Sequence, residues 1–352
     1  MAITVEKTAG ALRHAMADNT DKRPRDLADM LGVREADLVA ARVGRGATRI
    51  GADPHALMPR LRDLGEVMAL TRNDSAVHEK IGVYDNYRPG DHAAMVLTKD
   101  IDLRLFPRHW VHAFAVELES DRGTRRSLQV FDAAGDAVHK VILRDGSDVD
   151  AWRALVADLA TGDSADTLDL APRQPPEPPK SDIDKREALL REWDRMTDTH
   201  QFLRLTSKLK MNRLGAYRIA GAPYVRPLRP DAMDLALETL AGRGVGAMVF
   251  VGNRGCIQIH TGPIHTVKRV GPWQNIMDPG FNLHLRSDHI AELWAVEKPT
   301  KRGPALSLEG FDSRGALILQ VFGLRTDELD ERPAFAEIVD DLPEADAAEV
   351  VS

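Results

Sequence analysis

In the stretch MTDTHQFLRL, residues 196–205, one imidazole, His200, sits between a helix-start signal and a run of apolar residues. Four roles are open to it: a packed core histidine, a solvated one, a general base or a metal ligand. Asp198, Thr199, His200 and Gln201 can form a capping box. The Asp198 carboxylate would accept a first-turn N–H and Gln201 would reach back, so a helix is expected to begin near Thr199. On that helix Phe202, Leu205 and Leu209 share one face at spacings of three and four, while His200 projects almost opposite, with Leu203 and Ser207 beside it. Solvent or a ligand is then its partner, rather than the core. The partial positive charge at a helix start also disfavours imidazolium and favours the neutral form that ligates metals.

The other reactive groups narrow the chemistry. Cys256 is the only cysteine, which excludes an intramolecular disulfide, a thiolate-held iron–sulfur cluster and a C-x-x-C-H haem attachment. Any metal must therefore be held mainly by nitrogen or oxygen. His109 with His112, His260 with His265, and His284 with His289 are separated by odd numbers of residues, which puts partners on opposite faces of a strand; they read as structural or surface histidines. No G-x-S-x-G elbow, H-E-x-x-H, P-loop or EF-hand sequence occurs. In AGRGVGAMVFVGN the glycines precede the apolar strand instead of opening a helix, as a turn does and a dinucleotide fingerprint does not. DLADMLGVREADLVAAR resembles a helix-turn-helix with Gly32 at the turn, but Asp26, Asp29, Glu35 and Asp37 would repel phosphates.

The elements that must position these groups follow from a repeat. DLRLFPRHWVHAFAVELESDRGTRRSLQVFDAAGDAVHKVILR and NLHLRSDHIAELWAVEKPTKRGPALSLEGFDSRGALILQVFGLR align without a gap at an offset of 180 residues, Asp102 on Asn282. The same offset pairs Phe114 with Trp294, Phe131 with Phe311 and Met68 with Met248. Two copies of one fold of domain size explain this. Between them APRQPPEPPKSD is rich in proline and is expected to be an extended linker, preceded by a helix at DVDAWRALVADLA. Each copy begins with helical sequence, RDLADMLGVREADLVAARVG and DKREALLREW through AYRIAG. It then shortens to period two, as in SLQVFDAAGDAVHKVIL, where Ala-Ala-Gly-Asp turns one strand into the next. The expected fold is α+β: two tandem, structurally similar halves, each a large antiparallel β-sheet with flanking helices, covering 1–171 and 183–352, with the linker at 172–182.

Composition sets limits. With 43% hydrophobic and 29% charged residues, the 352-residue chain reads as an ordinary globular protein of about two domains. A formal charge of −7 argues against a general nucleic-acid binder. MAITVEKTAGALRHAMADN carries charges throughout and lacks the apolar core of a secretory signal. The longest apolar run, GVGAMVFVG, is too short to span a bilayer, so a cytoplasmic location without membrane insertion is expected.

IDLRLFPRHWVHAFAV in the first copy, and MTDTHQF, IQIHTGPI, GPWQNIMDPGFNLHLR, VEKPT and SLEGFDSRG in that order in the second, together resemble the hemin-degrading factor family of bacterial cytoplasmic haem-utilisation proteins. The resemblance runs from about residue 20 to 325. It implies two similar α+β halves with haem in a cleft of the C-terminal half, closed by the N-terminal half. It implies that His200 is the proximal iron ligand and Arg104, in DLRLF, the distal arginine. Neutral imidazole suits iron, and a guanidinium donates hydrogen bonds of fixed direction towards oxygen on it. Strand alternation puts Leu103 and Leu105 on one face and Asp102, Arg104 and Phe106 on the other, and the second copy has His284 where Arg104 stands. The family's basic pocket positions fall on Arg213 in MNRLGAYR, Lys298 in VEKPT and Arg325 in FGLR, as partners for the haem propionates. Phe250 and Gln320, on apolar strands, would line the macrocycle. The residues within LTSKLKMNRLGAYRIAG depart from the family, which leaves the helix but alters the shape of the proximal side.

The activity so implied is oxidative opening of haem b with dioxygen and an external electron donor, releasing iron. The alternative is a carrier that stores haem or hands it to a separate haem oxygenase, with a haem uptake transporter as the other expected partner. Both use the same binding residues.

Overall fold

The computed structural model describes residues 6–120 and 123–345; residues 1–5 of the charged N-terminal stretch lie outside them. The described residues fall in two compact units. One takes the chain up to Arg72, with Glu79–Gln174 and Gly252–Gln258; the other takes Asn73–His78, Pro175–Val251 and the chain from Ile259.

In chain order the first half runs α1 (Ala9–Asp18), α2 (Pro24–Leu31), α3 (Glu35–Ala40), β1 (Ala47–Ile50), α4 (Pro54–Leu57), β2 (Val67–Arg72) and β3 (Ala76–Gly82). It continues with β4 (Tyr87–Arg88), β5 (Ala94–Leu97), β6 (Asp102–Leu105), β7 (His112–Leu118), β8 (Arg125–Phe131), β9 (Ala137–Leu143) and α5 (Val149–Leu159). The second half runs α6 (Arg186–Asp194), α7 (Gln201–Lys208), α8 (Arg213–Ala220), β10 (Val225–Leu228), α9 (Ala232–Arg243), β11 (Ala247–Gly252) and β12 (Cys256–Gly262). It ends with β13 (Val267–Val270), β14 (Trp273–Asp278), β15 (Phe281–Arg286), β16 (Glu292–Lys298), β17 (Ala305–Phe311), β18 (Leu317–Gly323) and α10 (Arg332–Asp340).

Among the described residues the strands form two nine-stranded antiparallel sheets, the α+β architecture expected from the repeat. Within the first unit the order is β1-β7-β8-β9-β2, and within the second it is β10-β16-β17-β18-β11. β2, β7, β8 and β9 begin 180 residues before β11, β16, β17 and β18. Register is kept as well as order. Phe114 faces Gln129 as Trp294 faces Glu309, and a bulge at Val130/Phe131 recurs at Gly310/Phe311. The β8–β9 turn explains the repeat's Phe-Asp motif. Asp132 Oδ1 accepts the N–H groups of Ala134 at 2.9 Å and Asp136 at 3.0 Å, with Gly135 at φ +80°. Asp312 does the same for Arg314 at 2.9 Å and Ala316 at 2.8 Å, with Gly315 at φ +85°.

The proline-rich segment has no regular structure, but each end is tied to its own unit. Arg173 forks onto Asp136 in the first. In the second, the Asn212 side chain donates to Pro178 O at 2.7 Å and accepts the Lys180 N–H at 3.0 Å. Gly215 lets the Lys180 carbonyl pass where a Cβ would lie 2.0 Å from that oxygen.

In the second unit, one sheet face carries Leu293, Ala295, Leu308, Leu319, Val321 and Val249, which pack with α9 and α10 into the main core. On the other face α6, α7 and α8 bring Trp193, Phe202 and Tyr217 onto Trp294, Val296 and Phe311. The first unit repeats the plan. Trp152 and Leu155 of α5 cover one face, while Ala36, Val39 and Ala40 of α3 cover Phe114, Val116 and Phe131 on the other. Glu35, Ala36, Leu38, Val39 and Ala40 are all buried, so the short helix after Gly32 presents no free face to a nucleic-acid groove.

Candidate functional site

Alternation along the strands of the second unit decides which side chains face a ligand. In β11 the residues Ala247, Val249 and Val251 are buried in the core, and Met248 and Phe250 point the other way and are half-buried. In β18 Gln320 and Phe322 are half-buried. Phe250 and Gln320 are register partners, and the rings of Phe250 and Phe322 meet edge-on with centroids 5.2 Å apart. On the same face Lys298, Ser307 and Glu309, in β16 and β17, are fully buried beneath α7 and α8. The helices therefore cover the β16–β17 part of the face, while the β18–β11 part carries a half-buried platform of two aromatic rings and one amide.

His200 stands at the entry to α7 as its N-cap residue. The helix begins at Gln201, two residues later than expected from the capping box. The reason is a tight turn in which Asp198 Oδ1 accepts the His200 backbone N–H at 2.7 Å. Gln201 does reach back, but to Thr197, whose N–H it accepts at 2.8 Å. The face assignment of the helix is as expected: Phe202 and Leu205 are buried, Leu203 is exposed, and the His200 side chain is 89% exposed. A second bond holds the ring, with Nδ1 2.7 Å from the same Asp198 oxygen. The backbone N–H and then the ring of His200 keep the Asp198 carboxyl below the usual carboxylate range.

Arg213 and Lys298 converge on one buried carboxylate. Arg213 Nη1 donates to Glu309 Oε2 at 2.6 Å, Lys298 Nζ to Glu309 Oε1 at 2.6 Å, Tyr217 OH to Oε2 at 2.9 Å and Ser307 Oγ to Oε1 at 3.0 Å. Burial would push the Glu309 carboxyl up, but Lys298 and Arg213 override it and hold it well below the usual range. Burial, only partly opposed by Glu309, brings the Lys298 ammonium down to about 8. Two cations against one carboxylate leave the cluster with one net positive charge. Lys298 also lies 5.1 Å from the centroid of the Phe202 ring, which ties the cluster to the helix that His200 caps.

The loop after β16 joins the remaining pieces. Lys301 N–H donates to Thr197 O at 3.0 Å, one residue before Asp198. Arg325, just beyond β18, donates from Nη1 to Arg302 O at 2.7 Å. The His200 turn and Arg325 are thus both fastened to the segment 301–302. Glu309 and Tyr217 are missed by sequence reasoning. The only trace of the first is a charged residue inside the largely apolar strand ALSLEGF, where the first copy has Gln129.

In the first unit Leu103 and Leu105 are buried, and Asp102 and Arg104 occupy the opposite face of β6, as alternation requires. The Arg104 guanidinium is about one-third exposed, hydrogen-bonded to Asp102 and to Leu103 O at 3.1 Å. Here His139 is buried between Thr71 Oγ1, 2.8 Å from Nδ1, and Tyr84 OH, 2.5 Å from Nε2. Burial holds its pKa down to about 3. His109, His112, His260, His265, His284 and His289 assemble no metal site, since no group of three or more His, Cys, Asp or Glu suited to a metal occurs among the described residues. His284, at the position equivalent to Arg104, has Nδ1 2.7 Å from Asn275 Oδ1. No helix among the described residues is long and apolar enough to cross a membrane.

An exposed imidazole with one nitrogen tied back, a half-buried aromatic platform and cations on the same unit suit a flat, metal-bearing, anionic ligand. Known proteins bear on this directly. Residues 32–159 and 210–342 each match the haemin-degrading HemS.ChuX domain, one match per copy of the repeat. The chain is 39% identical to the hemin transport protein HemS of Yersinia enterocolitica over 95% of this chain and 96% of that one. It superposes on holo-PhuS, a heme-binding protein from Pseudomonas aeruginosa, with a TM-score of 0.90 and 41% identity over 96% of this chain and 98% of that one. For ChuS, a heme oxygenase of E. coli, the TM-score is 0.84 and the identity 34% over 94% and 98% of the two chains.

Proposed function

Because the chain belongs to the haemin-degrading HemS.ChuX family, we propose that it is a cytoplasmic protein that binds haem b and opens the macrocycle oxidatively to release iron. The observation that carries this reading is His200, an 89% exposed imidazole whose Nδ1 is held by Asp198 while Nε2 has no hydrogen-bond partner among the described residues. An imidazole held this way can offer Nε2 to a metal.

Haem is the substrate here, and this chain's residues have separable tasks. His200 Nε2 holds the iron. Phe250 supplies apolar contact to the macrocycle and Gln320 a hydrogen-bonding amide beside it, from adjacent strands. Arg213, Lys298 and Arg325 supply positive charge for the propionates. The first two act through the net charge of the Glu309 cluster, and Arg325 acts directly, since its hydrogen bond is to a backbone carbonyl and not to a carboxylate. Arg104 donates hydrogen bonds towards oxygen during ring opening, with Asp102 fixing its direction. Dioxygen and electrons from an external reductant complete the reaction.

A carrier that passes haem from an uptake transporter to a separate haem oxygenase is the second reading. It is favoured by one observation: HemS and PhuS, called transport and heme-binding proteins, share 39% and 41% identity with the chain, against 34% for the heme oxygenase ChuS. The experiment that separates them loads the purified protein with haemin and adds ascorbate in air with catalase present. Loss of the Soret band with stoichiometric free iron and an open-chain tetrapyrrole supports degradation. Intact haem under several donors, together with transfer to a haem oxygenase, assigns the carrier role. His200→Ala should weaken haemin binding and change the iron spectrum in either case.

A further inference from the structure

We infer that Asp198 is a positioning residue for the His200 imidazole: it fixes the tautomer with the proton on Nδ1, presents Nε2 as the ligating atom and strengthens that nitrogen as a donor. The inference rests on the reading of His200 as the iron ligand. It begins from a geometry that capping alone does not require. One carboxylate oxygen, Asp198 Oδ1, lies 2.7 Å from the His200 backbone nitrogen and 2.7 Å from Nδ1 of the same residue. The backbone bond closes the turn before α7, as an Asx turn does. The ring bond is a further constraint. An ionised carboxylate only accepts, so Nδ1 must donate, and in the neutral ring the single proton is then on Nδ1 and the lone pair on Nε2. In an unconstrained histidine the neutral ring has no such bias imposed on it.

Two consequences follow. The first is pre-organisation: the ring is oriented, with Nε2 turned away from Asp198, before any metal arrives, so less ordering remains for the binding step. The second is electronic. A carboxylate accepting from the far side of an imidazole raises the basicity of the ligating nitrogen, as outer hydrogen-bond partners of metal-bound histidines do. Both groups of the pair are supplied within three residues of chain, and the turn is held from outside by Lys301 N–H on Thr197 O at 3.0 Å and by Gln201 on Thr197 N–H at 2.8 Å. The orientation therefore does not depend on a mobile partner from elsewhere in the fold.

The test uses the full chain and two substitutions that divide the roles of the carboxylate. Asp198→Asn keeps an acceptor for the turn and for Nδ1–H but removes the charge; Asp198→Ala removes both. In the haem-free protein, nitrogen NMR with labelled histidine reports the tautomer of His200, assigned by comparison with His200→Gln. The expected result is Nδ1–H in the wild type and in Asp198→Asn, and a shift towards Nε2–H in Asp198→Ala. In the haemin-loaded, reduced protein, resonance Raman reports the iron–histidine stretch. It should move to lower frequency in both variants, with haemin affinity about tenfold weaker in Asp198→Ala. Dominant Nε2–H in the wild type, or a stretch that is the same in all three proteins, overturns the inference. Should His200→Gln retain the iron–histidine band, the ligand assignment itself fails, while the NMR result still decides whether Asp198 orients the ring.

Discussion

Lys298 Nζ lies 2.6 Å from Glu309 Oε1, with both side chains buried, and the same carboxylate takes Arg213 at 2.6 Å on its other oxygen. A charge taken out of water is held only while its partners remain, so both cations depend on the Glu309 carboxylate. Glu309→Gln should leave two cations facing a neutral amide and lower stability by about 3 kcal/mol. Lys298→Met leaves the Arg213–Glu309 pair intact and should cost less. Urea unfolding of the two variants and their double mutant measures this, with a double-mutant cost below the sum of the singles. Equal stability of Glu309→Gln and the wild type would mean that the cluster is not organised around the carboxylate.

The division between the two faces of β11 makes a second prediction. Val249 is buried in the core and Phe250 is its half-buried neighbour on the opposite face. Val249→Ala should lower stability by about 2 kcal/mol and leave haemin affinity near the wild-type value. Phe250→Ala should do the reverse, weakening haemin about tenfold, or about 1.4 kcal/mol. Chemical denaturation and haemin titration of the same preparations decide it. A haemin affinity unchanged in Phe250→Ala would remove that ring from the site.

How far these residues could be read beforehand depends on the range of the interaction. The repeat, the β8–β9 and β17–β18 turns and the outward direction of His200 are local: they follow from period, turn chemistry and spacing over a few residues. The α+β halves follow from them. Phe250 and Gln320 lie 70 residues apart, and their pairing across β11 and β18 required the strand order. The convergence of Arg213, from the first turn of α8, and Lys298, from the end of β16, on Glu309 is less legible still, because nothing in the sequence around either cation marks a buried acceptor. The start of α7 shows the same limit on a small scale. A capping pattern was recognisable, but the His200 backbone N–H donating to Asp198 moved the helix start, and the ring nitrogen on the same oxygen gave the imidazole its orientation.

Arg325 offers the simplest electrostatic test. Arg325 is half-buried and one nitrogen of its guanidinium is fixed to Arg302 O at 2.7 Å, which leaves its other N–H groups to meet an anion. Arg325→Ala should weaken haemin binding by about tenfold at low salt, with the difference from wild type narrowing as ionic strength rises. A deficit independent of salt would point to lost packing instead of lost charge.

His139 should set part of the acid sensitivity of the first unit. Burial lowers its pKa from 6.5 to about 3, so the folded state binds fewer protons than the unfolded state between these values. Its contribution is then fully present above pH 6.5 and is lost as pH falls towards 3, at up to about 1.4 kcal/mol per pH unit. Glu35, held down to about 2 by Lys140 and Arg72 against the upward push of burial, contributes to acid loss only below about 4.5. Above pH 5, roughly, the two are separable. His139→Gln should be less stable than the wild type at neutral pH, and the gap should close on acidification to pH 5. A gap that stays constant would show that the ring is already protonated, or is solvated, in the folded state.

Arg104 distinguishes binding from chemistry, because its proposed task concerns oxygen and not the hold on iron. Its guanidinium is bonded to Asp102 on the same strand, and burial raises the Asp102 pKa against the lowering effect of Arg104. The pair is therefore a directed donor rather than a free surface charge. Arg104→Ala should retain haemin affinity within about threefold, since His200 and the cations remain, but lower the rate of haem opening by about 100-fold, or about 2.7 kcal/mol in the barrier. Arg104→Lys keeps the charge and loses the planar fork, so recovery of only a small part of the rate would assign the effect to hydrogen-bond geometry. Full recovery with lysine would reduce the role to charge alone, and wild-type turnover in Arg104→Ala would take Arg104 out of the reaction. Single-turnover decay of the Soret band in haemin-loaded protein separates these outcomes, because it reads ring opening independently of haem uptake and product release.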